Sequence, residues 1–297
     1  MPLFAAPQSL NRLQIEITTG CNLRCAGCQR TLGMAKGDWV NRHMEPDLFA
    51  KVIANAPAAA YVVLQGIGEP SLHPRLEQLI SIAKASGKYP DISFNTNALA
   101  REPEDFVAWK ALGLSHVSIS VDSLNPVTAE KARAGTDVVR LRQAILKLVA
   151  LFGGRVTFSV VVSKANLGEM TSLLAELALL GAAAVEVQPL VAYGPETQAL
   201  ALSPEDRETL RSLAATARSR YPRMAVMLAP ILGTVLARIL QKMGMSKGRG
   251  RLMLPPRRSL PDRPWNSVNY RSSLFLNCTP KARSTRLKIR VCCASTS

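Results

Sequence analysis

The chain has 297 residues, of which 47% are hydrophobic and 5% aromatic, enough to bury the aliphatic core of one large domain, with or without an appendage. Its net charge of +16 does not describe that domain, because residues 238–297 carry 14 Lys and Arg against one acid, which leaves +3 for the rest. The longest apolar run, 224–237, contains Pro230 and Gly233 and is too short for a membrane span, so it is expected to be buried. The N-terminus lacks the basic and apolar regions of a signal peptide, so neither export nor a membrane partner is expected.

Strands and helices are predicted to alternate from residue 13 to about residue 190. The predicted strands are 13–19, 60–65, 91–97, 115–121, 155–162 and 183–188, and the helices are about 46–56, 74–87, 102–112, 136–152 and 166–181, with a further helical segment at 203–220. Such alternation favours an α/β fold with parallel strands and crossover helices. Six repeats predict an incomplete (β/α)6 barrel of the TIM type, because a closed barrel needs eight.

Polar side chains share one face of several predicted strands, since successive strand residues point to opposite faces. These rows are Gln14, Glu16 and Thr18; Ser93, Asn95 and Asn97; Ser118, Ser120 and Asp122; and Glu186 and Gln188. A closed barrel interior would be packed with Val, Ile and Leu, so the rows predict an open lumen that holds water or a polar ligand. The alternative is a sheet whose polar face meets solvent, and crossover helices on the outer face make it the weaker interpretation.

Three cysteines, Cys21, Cys25 and Cys28, follow the first predicted strand in one short loop. Three thiolates this close together usually hold a metal, and the alternative is a set of buried structural thiols. A zinc site normally has four ligands, and no His lies close enough in sequence to be an obvious fourth. A four-iron cluster on three cysteines would instead leave one iron open to another ligand. Clustered thiols also fit a reducing cytoplasm, where disulfides are rare.

The C-x3-C-x2-C spacing after a strand resembles the cluster motif of the radical S-adenosylmethionine (SAM) enzymes, and the resemblance covers roughly residues 13–190. It implies a [4Fe-4S] cluster on Cys21, Cys25 and Cys28, with SAM chelated by the open iron. It also implies an electron donor such as flavodoxin or ferredoxin, and a 5′-deoxyadenosyl radical that takes hydrogen from a substrate. The residue before the last cysteine is commonly aromatic in that family and is Gly27 here, so stacking on the adenine must come from elsewhere.

The same resemblance implies SAM contacts at the carboxyl ends of later strands. Residues 65–70 resemble the family's Gly-Gly-Glu-Pro motif, which places Glu69 near the SAM ammonium. Ser120 and Asp122 are then expected at the ribose hydroxyls or the carboxylate. Asn166 is expected at the adenine or ribose, or else as the N-cap of the next helix. The full set of expected SAM-binding residues is Gly66, Gly68, Glu69, Asn97, Ser120, Asp122 and Asn166; no catalytic residue is identified.

The C-terminal region resembles, incompletely, the SPASM or twitch extension of some of these enzymes. It has Pro264-Trp265, Cys278 and Cys292-Cys293, but the extension's Asp-Gly turn and its cysteine before Pro-Trp are missing, which makes an auxiliary iron–sulfur cluster doubtful. We therefore predict a core domain at 10–222 and a degenerate or truncated, basic and disordered tail at 223–297. A shifted reading frame would give such a composition. A nucleic-acid-binding arm is the less favoured alternative, because no aromatic platform accompanies the charge.

These features predict a cytoplasmic radical SAM enzyme whose substrate is a peptide, a protein or a cofactor precursor. The rival prediction is a non-catalytic iron–sulfur protein that binds nucleic acid or another polyanion through its tail. The sequence does not identify the substrate or the reaction subtype, because the polar lumen contains no diagnostic acid–base pair.

Overall fold

The computed structural model describes residues 10–229 and 289–292 of the chain. The strands are β1 (Leu10–Ile15), β2 (Arg24–Cys25), β3 (Ala59–Leu64), β4 (Asp91–Thr96), β5 (Leu114–Ser120), β6 (Arg133–Ala134), β7 (Val156–Val162), β8 (Ala184–Pro189), β9 (Ala225–Leu228) and β10 (Ile289–Cys292). The helices are α1 (Gln29–Ala35), α2 (Pro46–Asn55), α3 (Leu76–Ala85), α4 (Asp105–Leu112), α5 (Pro126–Ala132), α6 (Val138–Phe152), α7 (Met170–Leu179), α8 (Pro195–Gln198) and α9 (Pro204–Arg220).

Seven parallel strands form one curled sheet in the order β1-β3-β4-β5-β7-β8-β9, and β10 pairs antiparallel with the free edge of β1. The two edge strands, β9 and β10, do not pair with each other, so the described residues form an open barrel. Crossover helices connect the parallel strands. The predicted incomplete barrel is therefore confirmed, with one more parallel strand than the six that the sequence predicts.

The core lies between the outer face of the sheet and these helices. Val62 and Leu64 on β3 are completely buried, and Leu141, Ile145 and Leu148 lie on one face of α6 at helical spacing and are buried with them. Full burial of each such side chain stabilises the fold by roughly 1.5–3 kcal/mol. The polar side chains of the strands lie on the inner face of the sheet, where the site is found.

The predicted strands and helices are found close to their predicted positions, and the differences have local causes. The first strand ends at Ile15 rather than at residue 19, because Ile17 and Thr19 make backbone hydrogen bonds with Met44 and Arg42 instead of with a neighbouring strand. Helix α5 was not predicted, although Asn125 caps its first turn and a proline follows at the first helical position. Helix α1 and the strand β9 were also missed.

The predicted C-terminal tail lies mostly outside the described residues, as do Pro264-Trp265, Cys278 and Cys293. The helical segment predicted at 203–220 is confirmed as α9, which a capping box of Ser203 and Asp206 begins. Two short pieces of the tail are described: β9 extends the parallel sheet, and residues 289–292 form a strand where disorder was expected. The domain boundary at 222 stays a prediction. Among the described residues, no helix is both long and apolar enough to cross a bilayer.

Candidate active site

A cavity of about 240 Å³ opens at the carboxyl ends of the parallel strands. It is lined by Cys25, Ala26, Gly27, Cys28, Gln65, Asn95, Ser120, Asp122, Lys131, Ala132, Arg133, Ser159, Val161, Ser163, Ala165, Gln188, Leu190 and Leu200. Asn95, Ser120, Asp122 and Gln188 come from the polar rows seen in the sequence. The cysteine loop therefore faces a polar lumen, where ligands of parallel α/β folds bind.

The loop that carries the three cysteines runs from the end of β1 to the start of α1. Cys28 donates its backbone N–H to the carbonyl of Cys25 at 3.1 Å, and the Cys28 carbonyl accepts the first hydrogen bond of α1 from Leu32. Cys25 lies in β2, which pairs antiparallel with β6. All three cysteines are free thiols, and Cys25 and Cys28 line the cavity.

Two of these thiols lie in surroundings that disfavour the thiolate. Burial raises the pKa of Cys21, and it raises the pKa of Cys25 to about 11 although the nearby Arg133 guanidinium acts in the opposite direction. At neutral pH both thiols are protonated in the metal-free protein. A metal bound here must therefore displace those protons, and its binding is favoured by rising pH.

The three thiols are the kind of donor set that binds an iron–sulfur cluster. Within residues 10–229 and 289–292, no three or more His, Cys, Asp and Glu side chains are gathered closely enough to hold one metal ion. In an iron–sulfur cube, each cysteine thiolate binds a different iron. Three soft donors without a fourth leave one iron open. The donor set therefore fits a [4Fe-4S] cluster with a vacant coordination site.

The predicted Gly-Gly-Glu-Pro-like loop contacts the cysteine loop directly. A Cβ atom at Gly68 would lie 2.4 Å from the carbonyl oxygen of Thr18 and 2.7 Å from that of Gly20. The Glu69 N–H donates to the same Gly20 carbonyl at 2.7 Å, one residue before Cys21. Glycine is thus required at 68 because two backbone segments touch there. Neither Gly66 nor Gly68 lines the cavity, and their contact with SAM stays a prediction.

The carboxylate of Glu69 is buried and accepts four hydrogen bonds from the protein. Ser71 donates its hydroxyl at 2.6 Å and its N–H at 3.2 Å, Thr96 donates its hydroxyl at 2.8 Å, and Asn97 donates its N–H at 2.7 Å. Burial raises the pKa of Glu69, whereas the four donors act in the opposite direction. This carboxylate joins the end of β3 to the end of β4. Its contact with the SAM ammonium stays a prediction.

The side-chain amides of Asn97 and Asn166 donate hydrogen bonds to the segments that surround the cavity. The Asn97 side-chain amide donates to Asn22 Oδ1 at 2.8 Å, inside the cysteine loop. Asn166 is 1% exposed, and its amide donates to the carbonyls of Asp122 and Val161 at 2.7 and 3.0 Å. Asn166 stands at the N-cap position of a 3-10 turn at Leu167–Glu169, as the N-cap alternative predicted, but its side chain makes no capping hydrogen bond. Neither amide lines the main cavity, and their contact with SAM stays a prediction.

The cavity also contains an ion pair between Asp122, which the sequence predicts in the site, and Arg133, which it does not. Asp122 Oδ1 accepts the Val161 N–H at 2.8 Å, and its Oδ2 lies 3.5 Å from Nη1 of Arg133. Burial raises the pKa of Asp122, and Arg133 counteracts this effect. Within the described part of the chain, Arg133 Nε is buried without a hydrogen-bond partner. The sequence did not indicate Arg133 as a site residue, because it follows a short helix rather than a parallel strand.

Comparison with known proteins identifies the family. Residues 15–177, more than half of the chain, match the model of the Radical SAM superfamily. The chain belongs to the radical SAM superfamily. A structural likeness extends over a larger share of the chain: anSMEcpe with bound AdoMet has a TM-score of 0.59 at 16% identity, covering 81% of this chain and 68% of that one. Streptococcus suis SuiB bound to S-adenosylmethionine has a TM-score of 0.58 at 13% identity, covering 76% and 52%. At such identities these two structures support the fold alone.

Two curated relatives of this radical SAM chain are more similar in sequence. The tungsten-containing aldehyde ferredoxin oxidoreductase cofactor-modifying protein of Pyrococcus furiosus is 31% identical in an alignment of 195 residues that covers 62% of this chain and 52% of that protein. The GTP 3′,8-cyclase of Clostridium botulinum strain Hall is 29% identical over 146 residues, 48% of this chain and 45% of that protein. The chain therefore spans about half the length of these relatives.

Proposed function

We propose that this protein is a radical SAM enzyme that abstracts hydrogen from a polar substrate. The observation that carries the proposal is the loop of three free thiols beside a cavity at the carboxyl ends of a parallel sheet, in a chain of this superfamily. A [4Fe-4S] cluster on Cys21, Cys25 and Cys28 would supply the electron that cleaves SAM into methionine and a 5′-deoxyadenosyl radical. The electron would come from a donor such as flavodoxin or ferredoxin.

The chain's own residues divide between binding SAM and positioning the loops around it. Arg133 offers a positive charge for the SAM carboxylate and a buried Nε–H that has no partner among the described residues, while Asp122 and Ser120 offer oxygen atoms for the ribose hydroxyls. Glu69 and Asn97 hold the cysteine loop in place against the ends of β3 and β4. The residues assigned to SAM are supported by their place in the lining of the cavity. The roles of Glu69 and Asn97 are supported by their hydrogen bonds.

A set of neutral polar side chains lines the rest of the cavity and suits a neutral polar substrate. Gln65, Asn95 and Gln188 make no side-chain hydrogen bond to another described residue, and neither does the Ser159 hydroxyl. We propose a peptide, a protein or a cofactor precursor as the substrate class. One relative is named a cofactor-modifying protein, and SuiB is also known bound to the precursor peptide SuiA. The clustered free thiols support a reducing location such as the cytoplasm.

Reductive cleavage of SAM tests the proposal. We expect anaerobically reconstituted protein to bind about four irons and to release 5′-deoxyadenosine from SAM when dithionite is added. Replacement of Cys21, Cys25 and Cys28 by Ala should remove both the iron and the cleavage. Full iron content without any cleavage in the parent would favour the rival, a non-catalytic iron–sulfur protein.

The cysteines of the C-terminal tail provide the matched control. A variant with Cys278, Cys292 and Cys293 replaced by Ala should keep about four irons and its SAM cleavage, because the tail lacks the Asp-Gly turn and the cysteine before Pro-Trp that the extension has. More than four irons in the parent, with the excess lost in this variant, would instead identify an auxiliary cluster in a genuine extension.

A further inference from the structure

A buried arginine, Arg30, lies against the cysteine loop from the first turn of α1. It is 5% exposed. Its Nη1 donates to the Leu23 carbonyl at 3.2 Å, in the stretch between the first two cysteines, and its Nε donates to Oδ1 of Asn41 at 3.4 Å. The guanidinium is therefore in direct contact with the loop that carries the three thiols.

No carboxylate offsets the charge of Arg30. Within the described residues it forms no ion pair, and both of its hydrogen-bond acceptors are neutral. Arg133, which lines the cavity, differs because Oδ2 of Asp122 lies 3.5 Å from its Nη1. Transfer of an unpaired charge from water into a protein interior costs free energy. The metal-free protein thus contains a buried positive charge that no other described residue neutralises.

The charge of Arg30 acts on the thiols. Burial raises the pKa of Cys21, and Arg30 is among the groups that lower it, so the guanidinium is close enough to favour the thiolate. In the metal-free protein Cys21 and Cys25 stay protonated and provide no negative charge near Arg30. A four-iron cluster on three thiolates does provide one, because that assembly is an anion and its reduction adds one further electron.

We propose that Arg30 is the buried counter-charge of the iron–sulfur cluster and stabilises its reduced form more than its oxidised form. The inference rests on the proposed function and adds a positioning residue to it, one that acts on the cluster through charge. One electron passes from the donor to the cluster, and the guanidinium stays protonated throughout. Its attraction to the cluster therefore grows with the added negative charge, which raises the reduction potential of the cluster.

The direct test is the midpoint potential of the cluster in iron-loaded protein without SAM, measured by an anaerobic redox titration followed by electron paramagnetic resonance. Arg30→Gln removes the charge. At the parent's midpoint potential we expect its ratio of reduced to oxidised cluster to be about tenfold lower, a shift of about 59 mV for one electron. Arg30→Lys keeps the charge, and its ratio should stay within about threefold of the parent's.

Arg24→Gln is the matched control, because Arg24 lies in the same loop and its side chain is exposed. Water and salt screen an exposed charge, so the ratio in this variant should stay within about twofold of the parent's. Iron content, measured in every variant, checks that the cysteine loop still holds the cluster.

Specific results would overturn the inference and leave the proposed function standing. A parent-like ratio in Arg30→Gln would overturn it, and so would equal shifts in Arg30→Gln and Arg30→Lys, because a role through hydrogen bonds would then explain both. If Arg30→Gln takes up no iron, iron uptake becomes the measurement. Arg30→Lys must then load as the parent does, and failure of both variants would overturn the inference. A parent that takes up no iron would contradict the proposed function itself.

Discussion

Individual residues around the cavity divide into those that touch it and those that hold it in shape, and Glu69 belongs to the second group. Its carboxylate accepts hydrogen bonds from two backbone N–H groups and two hydroxyls, so the groups around it are all hydrogen-bond donors. A neutral side chain of the same shape would bring an amide NH2 toward one of these donors. Removal of the acceptor from buried donors costs about 1–3 kcal/mol.

We therefore expect Glu69→Gln to lower the free energy of unfolding of the metal-free protein by about 1–3 kcal/mol. Urea unfolding followed by circular dichroism measures this change. Glu77→Gln is the matched control, because Glu77 lies exposed on α3, and its effect should be near zero. If Glu69→Gln left stability unchanged and weakened only SAM binding, the carboxylate would be a direct ligand of the SAM ammonium.

His73 provides a pH-dependent contribution to stability. It is 2% exposed, its Nε2 lies 2.9 Å from the Met44 carbonyl, and its Nδ1 accepts the Arg75 N–H at 3.1 Å. A proton on Nδ1 would face that N–H, and burial lowers the pKa of His73. The unfolded chain therefore takes up a proton near pH 6.5 before the folded chain does, so stability falls as the pH is lowered through this range.

We expect the unfolding free energy to fall between pH 7.5 and pH 5.5, with His73 contributing at most about 1.4 kcal/mol per pH unit. His73→Gln should be less stable at pH 7.5 and should show a smaller loss on acidification. The control His43→Gln, at an exposed ring beside His73, should retain most of the parent's pH dependence. An undiminished slope in His73→Gln would contradict this assignment.

The sequence predicts some of these roles better than others. The cysteine triad and the polar strand faces are visible because spacing and alternation are local properties of the chain. The hydrogen bonds of Glu69 with Thr96 and Asn97, and of Asn166 with the Asp122 carbonyl, are not visible, because they join residues 27 to 44 positions apart. Arg133 was missed for a related reason. Its position depends on the pairing of β6 with β2, and each of these strands has only two residues, too few to show a strand pattern in the sequence.

At the scale of elements, the loop after β3 and the cysteine loop fit together through their backbones. Strands and crossover helices were predictable because their apolar residues repeat with the period of the element. The contact between these two loops was not, because it depends on a glycine that meets another segment some 50 residues away. Gly68 is the point where that contact is tightest.

We expect Gly68→Ala to lose iron binding and at least about 1–3 kcal/mol of stability, because the new methyl group would meet the backbone oxygens of Thr18 and Gly20, which cannot rotate away. Iron content after reconstitution and the urea midpoint measure the two effects. Gly168→Ala is the matched control, since a Cβ there meets nothing within 4 Å and its φ is not positive. Parent-like iron content in Gly68→Ala would mean that the two loops can separate without loss of the cluster.

At the scale of the whole molecule, the sheet has two edges, and β10 covers one of them. Its four residues pair with Arg12–Ile15, so the backbone groups on that edge of β1 have partners. A free sheet edge promotes association with other chains. The sequence predicted no strand here, because a run of four residues among basic neighbours carries no periodic signal.

We expect deletion of residues 245–297 to leave the triad iron and SAM cleavage nearly unchanged, because the described cavity is built from residues 25–200. The deletion should also free the edge of β1 and increase self-association. Iron analysis, 5′-deoxyadenosine release and light scattering measure these outcomes. Loss of the iron from the truncated protein would show that the tail helps to hold the cysteine loop.

The short pairing between β2 and β6 bears on how iron reaches the thiols. Only Arg24 and Cys25 pair with Ala134 and Arg133, and the Ala26 N–H extends the contact to the Ala132 carbonyl at 3.0 Å. So short a ladder can open while the barrel stays folded, since local opening costs much less than global unfolding. The hydrogen-bonded amides of β2 and β6 would then exchange with solvent faster than those of the parallel sheet, and cluster insertion would slow that exchange by fixing both segments at once.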